Sequence, residues 1–205
     1  DLYPLIQHNF NDDALLKRAL THRSYKGDNN ERLEFLGDSV LSIIISQDLF
    51  KRFVRAREGQ LSRLRSSLVN GEVLAELAVE LEINAFINLG AGEEKSGGRQ
   101  RQSILADAVE AVIAAIYLDA GFQVVQTCVL RWYKERLEKI SLDAPLKDAK
   151  SILQEWLQAR KLPLPQYQCK VTGESHAQTF SVTCTVDNME IVTKGQSSSR
   201  RKAEQ

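Results

Sequence analysis

Apolar and polar positions along this chain fall into two regimes. Up to about residue 140 the apolar residues recur at helical spacing in long segments poor in glycine and proline. The longest is a predicted helix from Glu31 to Phe53, in which Leu33, Phe35, Leu36, Val40, Leu41 and Ile43 to Ile45 leave little polar surface. Asp12 and Asp13 are placed to cap a helix beginning near Ala14. Further helices are predicted at 59–69, 71–81, 103–119 and 123–139, with a glycine-rich loop at 90–98. After a break near 141–147, containing Pro145, the pattern changes. Residues 148–160 read as one amphipathic helix with Ile152, Leu153, Trp156 and Leu157 on one side, stopped by Pro163 and Pro165. Period-two runs follow at 166–172, 178–186 and 189–194. Ser197 to Ser199 then offer a cap for a helix opened by Arg200, Arg201 and Lys202. The expected fold class is an all-α domain over 1–142 and a small α+β domain of order α-β-β-β-α over 148–205, its last helix incomplete at Gln205.

Acids interrupt this apolar pattern in two places. Glu31, Glu34 and Asp38 share one face of the first long helix, within roughly 60° of one another at about 100° per residue. Asp107 and Glu110, at i and i+3, are the only charges in the otherwise apolar run Ser103 to Ile116. A surface helix would be polar all along one side, and this one is not. Its alanines let another helix approach closely. The simplest arrangement packs the two helices side by side, so that all five carboxylates converge. Oxygen ligands without His or Cys suit a hard cation, Mg²⁺ or Mn²⁺, rather than Zn²⁺.

These segments closely resemble the signatures of bacterial ribonuclease III, a family of double-stranded-RNA endonucleases. The strings are NERLEFLGDS at 30–39 and SILADAVEA at 103–111, supported by THRS at 21–24, EGQLSRLR at 58–65 and GEEKSGG at 92–98. The region 148–205 resembles a double-stranded-RNA-binding domain, so the resemblance covers essentially the whole chain. It implies that Glu34, Asp107 and Glu110 bind metal and that Asp38 and Glu110 are essential to catalysis. Asp38 would orient a water or a ligand. Glu31 and Glu58 match acidic positions near the site and would act around the ion or on RNA. In the second domain Gln154 and Glu155, and the loop carrying Glu174 and His176, would make minor-groove contacts. Arg200, Arg201 and Lys202 would span phosphates. The resemblance also implies a homodimer with Phe35 inserted into the partner, staggered cuts in both strands, and processing of precursor rRNA and other structured RNAs. Asn70, Lys95, Arg99 and Arg101 are weaker candidates for contacts near the cleft.

Bulk properties add little. Net charge is zero, with 18 Lys+Arg against 20 Asp+Glu in 1–142 and 9 against 7 in 143–205. The patches therefore carry the argument for nucleic acid, not the total. Cys128, Cys169 and Cys184 are scattered and read as reduced thiols. No apolar run reaches the ~18 residues of a membrane span and no signal peptide is visible, which leads to the expectation of a cytoplasmic protein. Two other readings fit parts of the pattern. An RNA-binding scaffold without cleavage is disfavoured by the complete acid set. A phosphohydrolase acting on small nucleotides has no use for a duplex-reading module.

Overall fold

The structure, a computed structural model, describes residues 2–142, 149–173, 178–187 and 191–205. The chain divides into two compact units, Asp1–Ala144 and Pro145–Gln205.

The described part of the first unit is helical: α1 (Tyr3–Ile6), α2 (Asp13–Ala19), α3 (Glu31–Arg52), α4 (Glu58–Leu68), α5 (Gly71–Glu80), α6 (Ile83–Phe86), α7 (Ala91–Lys95), a 3-10 turn (Gly98–Gln100), α8 (Gln102–Ala120), α9 (Phe122–Trp132) and α10 (Lys134–Lys139). α8 is the axis of the unit, packed by α2, α3, α5 and α9. Its residues from Ile104 to Ile116 are buried except the two acids, Asp107 and Glu110, which are half-buried. Alanine makes this possible, since a helix surrounded on several sides has room for few long side chains. At Gly121, φ is +80° and ψ is 178°, a conformation that a side chain disfavours. This glycine ends α8 and turns the chain directly into α9.

The start of α2 is capped as the acidic pair suggested: Asp12 accepts from the backbone N–H of Ala14 at 2.9 Å. A second acid secures this segment from the far end of α8. The Asp119 carboxylate, 2% exposed, accepts from the backbone N–H groups of Asn11 (3.0 Å) and Asp12 (3.0 Å) and from Nε2 of His8 (2.8 Å). Burial opposes its charge, but the donors from Asn11, His8 and Asp12 outweigh that and hold its carboxyl below the ordinary aspartate value.

Two expectations need correction. The predicted helix 123–139 is broken at Tyr133 into α9 and α10. At Tyr133 ψ is 0°, and the chain keeps the bonds Tyr133 N–H to Val129 (2.9 Å) and Leu137 N–H to Tyr133 (2.8 Å) across the break. Trp132 and Tyr133 are both buried, with Trp132 Nε1 donating to the carbonyl of Ile6 at 3.2 Å. The stretch 90–98 is not a plain loop but contains α7, followed by the 3-10 turn. Ion pairs shape it: Arg99 grips Glu94 at 2.7 Å and also donates to the carbonyl of Asn84 at 2.8 Å, while Arg101 pairs with Glu93.

The second unit contains α11 (Ala149–Ala159), the strands β1 (Gln166–Thr172), β2 (Thr179–Val186) and β3 (Ile191–Ser197), and α12 (Arg200–Glu204). The sheet is antiparallel in the order β1-β2-β3, with Val182 paired to Cys169 on one side and Gly195 on the other. In β2 the apolar alternates include the buried Val182 and Val186. β3 runs three residues beyond the predicted 194, so Ser197 pairs with Phe180 and is not a cap. Ser199 caps α12 instead, accepting from the N–H of Lys202 at 3.3 Å. α12 lies on β2 and β3. Lys150 of α11 pairs with Glu204 of α12 and sits 4.5 Å from the ring centroid of Tyr167 on β1. Of the apolar side predicted for α11, only Leu157 is fully buried; Trp156 is partly covered by Arg160, stacked 4.0 Å from its ring centroid.

Replacing Asp119 by Ala should cost about 1 kcal/mol at neutral pH, because the donors of His8, Asn11 and Asp12 lose a charged acceptor. A carboxyl held below its ordinary value contributes stability that is present at neutral pH and lost as pH falls through the folded-state value. Urea unfolding of wild type and Asp119→Ala should therefore show a gap at pH 7 that narrows towards pH 3.

Candidate active site

The site is built where α3 and α8 touch. A Cβ placed on Gly37 would lie 1.8 Å from the carbonyl oxygen of Glu110, so the two backbones meet with no side chain between them. One turn before Gly37 on α3 stands Glu34; one turn before Glu110 on α8 stands Asp107. The backbone contact thus brings three carboxylates from distant parts of the chain together. Glu34, Asp107 and Glu110 each offer an oxygen within 4.8 Å of the others, and all three are half-buried.

Such a group is electrostatically unfavourable by itself. At an effective dielectric constant near 20, two unit charges about 5 Å apart repel by on the order of 3 kcal/mol. The protonation equilibria reflect this. Burial pushes the Glu110 carboxyl up to about 8, reinforced by the charges of Asp38, Asp107 and Glu34. Burial also raises Glu34, with help from Asp107 and Glu31 and opposition from Arg23. Asp107 is raised by burial, partly offset by His22 and Arg23. A divalent cation would remove the penalty. The donor set is all oxygen, which fits Mg²⁺, Mn²⁺ or Ca²⁺ and not a soft ion.

A cleft of about 530 Å³ opens beside Glu34 and Asp107. Glu31 lies on its wall, ion-paired with Arg23 at 3.6 Å, both side chains largely exposed. His22 is buried, with Nδ1 2.8 Å from Ser24 Oγ. Arg101 closes another side against Glu93.

The expected convergence of five acids is therefore narrower in the structure. Three form the ligand-distance group. Asp38 is exposed and acts on Glu110 through its charge. Glu31 is at the cleft wall. Glu58 does not line this cleft: it opens α4, where Ser62 Oγ donates to it at 2.7 Å. Phe35 is 79% exposed. Asn70 is accounted for by local structure, since Oδ1 caps α5 by accepting from Glu72 and Val73. Arg99 is committed to Glu94 and the α6 carbonyls, and Lys95 is exposed.

In the second unit Gln154, Glu155, Arg200, Arg201 and Lys202 are all exposed. Arg200 pairs with Glu204 at 2.9 Å. Glu174 and His176 lie outside the described residues. Sequence reasoning assigned no role to His22, Arg23, Ser24, Asn30 or Glu93. No periodicity points to them: His22, Arg23 and Ser24 line the cleft with Asp107 on the segment after α2, where Thr21 is bridged to Asn88.

Comparison with known proteins agrees with this architecture. The ribonuclease-III-like family matches residues 12–137, and the double-stranded RNA binding motif matches 149–205. Ribonuclease 3 of Coxiella burnetii (strain CbuK_Q154) is 59% identical over 198 residues, spanning 97% of this chain and 85% of that one. Ribonuclease 3 of Hahella chejuensis (strain KCTC 2396) is 57% identical, spanning 97% and 88%. Among solved structures, the nuclease domain of ribonuclease III from Campylobacter jejuni, described for structural flexibility in a region involved in dimer formation, superposes with a TM-score of 0.64. It is 45% identical and covers 65% of this chain and 94% of its own. Dicer from Pichia stipitis superposes with a TM-score of 0.53 at 26% identity, covering 96% of this chain and 91% of its own.

A helical acid-cluster nuclease unit followed by a duplex-RNA-binding motif defines the class, a metal-dependent endoribonuclease. The chain belongs to the ribonuclease III family. Its activity is endonucleolytic cleavage of double-stranded RNA.

The contact at Gly37 makes a direct prediction. Gly37→Ala must force α3 and α8 apart, an overpacking expected to destabilise the fold by about 1–3 kcal/mol. Because the same contact sets the spacing of the acids, cleavage of duplex RNA should fall at least tenfold even at temperatures where unfolding curves show the variant folded. Normal cleavage would mean that the helix spacing does not control the site.

Proposed function

We propose that this enzyme cleaves both strands of an RNA duplex using Mg²⁺, with Mn²⁺ as a substitute, held by Glu34, Asp107 and Glu110. The observation that carries the proposal is the approach of these three carboxylates to within 4.8 Å on two helices in backbone contact. When bound, the ion supplies a Lewis acid that activates water and neutralises charge developing on the phosphate. The chain's own contribution is positional. α3 and α8 hold the ligands on rigid elements, and Glu110 is half-buried, which limits competition from bulk water for its oxygens. Asp38, one turn beyond Glu34, orients a water or a ligand. Glu31, at the cleft wall, and Glu58 act around the ion or on RNA.

The second unit grips the duplex by shape. Arg200, Arg201 and Lys202 stand at the start of α12, where backbone N–H groups and the helix dipole favour phosphate. Gln154 and Glu155 on α11 reach a minor groove, where 2′-hydroxyls mark RNA; His176 is proposed for a second such contact. The functional division is a nuclease domain over 1–142 and an RNA-binding domain over 148–205.

Cleavage on both strands requires two sites, and we assign this to a homodimer. Support comes from the outer face of α3. Phe35 (79%), Ile43 (56%) and Phe50 (72%) are exposed along one stripe at i, i+8 and i+15, an apolar surface that a partner would cover. Two sites across such an interface would leave staggered ends. Structured precursors, rRNA among them, are the expected substrates. No helix among the described residues is long and apolar enough to cross a membrane; the family setting supports action in the cytoplasm.

Glu110→Gln should lower duplex cleavage at least a hundredfold, while gel-shift binding of duplex RNA in Ca²⁺ persists. Near-normal cleavage by this variant at saturating Mg²⁺ would remove Glu110 from the role. Phe35→Arg should yield a monomer by sedimentation velocity, and a stable dimer after that change would contradict the assigned interface.

A further inference from the structure

Among the described residues two buried polar side-chain atoms have no hydrogen-bond partner: Nδ2 of Asn30 and the hydroxyl of Tyr133. Tyr133 is not part of the cleft wall, whereas Asn30 is, together with Glu34 and Asp107. Asn30 is 2% exposed. An asparagine at a helix start is ordinarily explained by capping, its Oδ1 accepting from the second or third amide. That explanation fails here. Asn30 has φ −87° and ψ −7°, in the helical region, and its side chain makes no capping bond. The neighbouring Asn29 takes the free N–H of Glu31 at 3.1 Å instead. The Asn30 backbone is occupied, its N–H donating to Thr21 at 2.9 Å and its carbonyl accepting from Glu34 at 2.8 Å. What remains is a carboxamide donor shut off from water and lacking an acceptor, a condition that opposes folding unless a ligand supplies the acceptor.

The nearest chemistry that would use such a donor is the acid cluster. Glu34 stands at i+4 from Asn30, the spacing that places two side chains over one another on a helix face. We propose that Asn30 is a positioning residue of the cation site: with a divalent ion held by the three acids, its Nδ2–H donates to the carboxylate oxygen of Glu34 that faces away from the ion. A metal-ligating carboxylate is itself ordinarily hydrogen-bonded in this way, which fixes its rotamer. A neutral amide suits the position. An acid there would add to the repulsion among Glu31, Glu34, Asp38, Asp107 and Glu110, and a lysine or arginine would pair with Glu34 and compete with the ion. The inference rests on the reading of Glu34, Asp107 and Glu110 as cation ligands.

The test measures Mn²⁺ binding to the full chain by electron paramagnetic resonance, alongside thermal melting. Wild type is compared with Asn30→Ser, Asn30→Ala and Glu110→Gln. Asn30→Ser removes Nδ2, a donor that has no partner, and leaves the backbone bonds to Thr21 and Glu34 and the Asn29 cap in place. Both Asn30 variants should bind Mn²⁺ about tenfold more weakly, and the Mg²⁺ concentration for half-maximal cleavage should rise by a similar factor. The Asn30→Ser melting temperature should stay at or above that of wild type, which separates positioning from a structural role. If Glu110→Gln loses Mn²⁺ while the Asn30 variants bind it like wild type, the role of Asn30 is overturned and the acid reading stands. If wild type and Glu110→Gln bind Mn²⁺ equally weakly, the acid reading falls, and the role of Asn30 with it.

Discussion

The backbone contact between Gly37 and Glu110 governs the nuclease unit. Two helices that touch through side chains pack about 8–10 Å apart, and their crossing adjusts to whatever side chains intervene. Here there is nothing to adjust. The carbonyl of Glu110 occupies the space where any other residue at 37 would have its Cβ. The distance between α3 and α8 is therefore set by main chain, and the carboxylates one turn away on each helix inherit that distance. A cation site needs its ligands held within fractions of an ångström, and main-chain contact between two long helices is among the stiffest ways to hold them.

Burial and charge are in tension at this point. α8 is almost wholly enclosed, yet two of its residues are acids, and a third acid faces them from α3. The surroundings relieve the strain only partly. Arg23 and His22 bring Asp107 down and Arg23 brings Glu34 down, but burial remains the largest influence on every member of the cluster. Glu110, half-buried and facing three other acids, is the most strongly displaced. An arrangement that is unfavourable when empty gains the most from a small, highly charged ion. The same logic gives meaning to Asn30, which offers these acids a neutral donor.

The remaining surfaces divide the work. Along α3, one face enters the core through Leu33, Val40, Leu41, Ile44 and Ile45, one edge carries Glu34 and Asp38, and the outer stripe of Phe35, Ile43 and Phe50 is left uncovered. A single helix thus serves the core, the site and the assigned dimer contact. In the second unit the cations at the start of α12 and the exposed polar face of α11 belong to a three-stranded scaffold with its own small core around Leu157, Val182, Val186 and Ala203. The nuclease match and the RNA-binding match fall on different compact units of the chain.

The sequence by itself determined the kinds of element and the identity of the reacting groups. Hydrophobic period 3.6 in the first unit and period 2 in the second follow from which faces must be dry. Five acids embedded in apolar helices stand out because burying charge is expensive. Local chemistry was equally legible, as in the Asp12 cap. Other features were decided only by tertiary structure, because they depend on partners far away in the chain. The break falls at Tyr133, where Trp132 and Tyr133 pack into the core and Trp132 bonds to Ile6, far away in the chain. The helical turn at 91–95 is held by arginines, one of which also binds the carbonyl of Asn84. Glu58 reads like the other acids in the sequence, yet folding leaves it outside the cleft, while Arg23, His22 and Asn30, without any periodic signature, form its wall. Periodicity reports which side of an element is buried; which residues meet across the gap between elements is settled by packing, and the active-site cleft is made of such meetings.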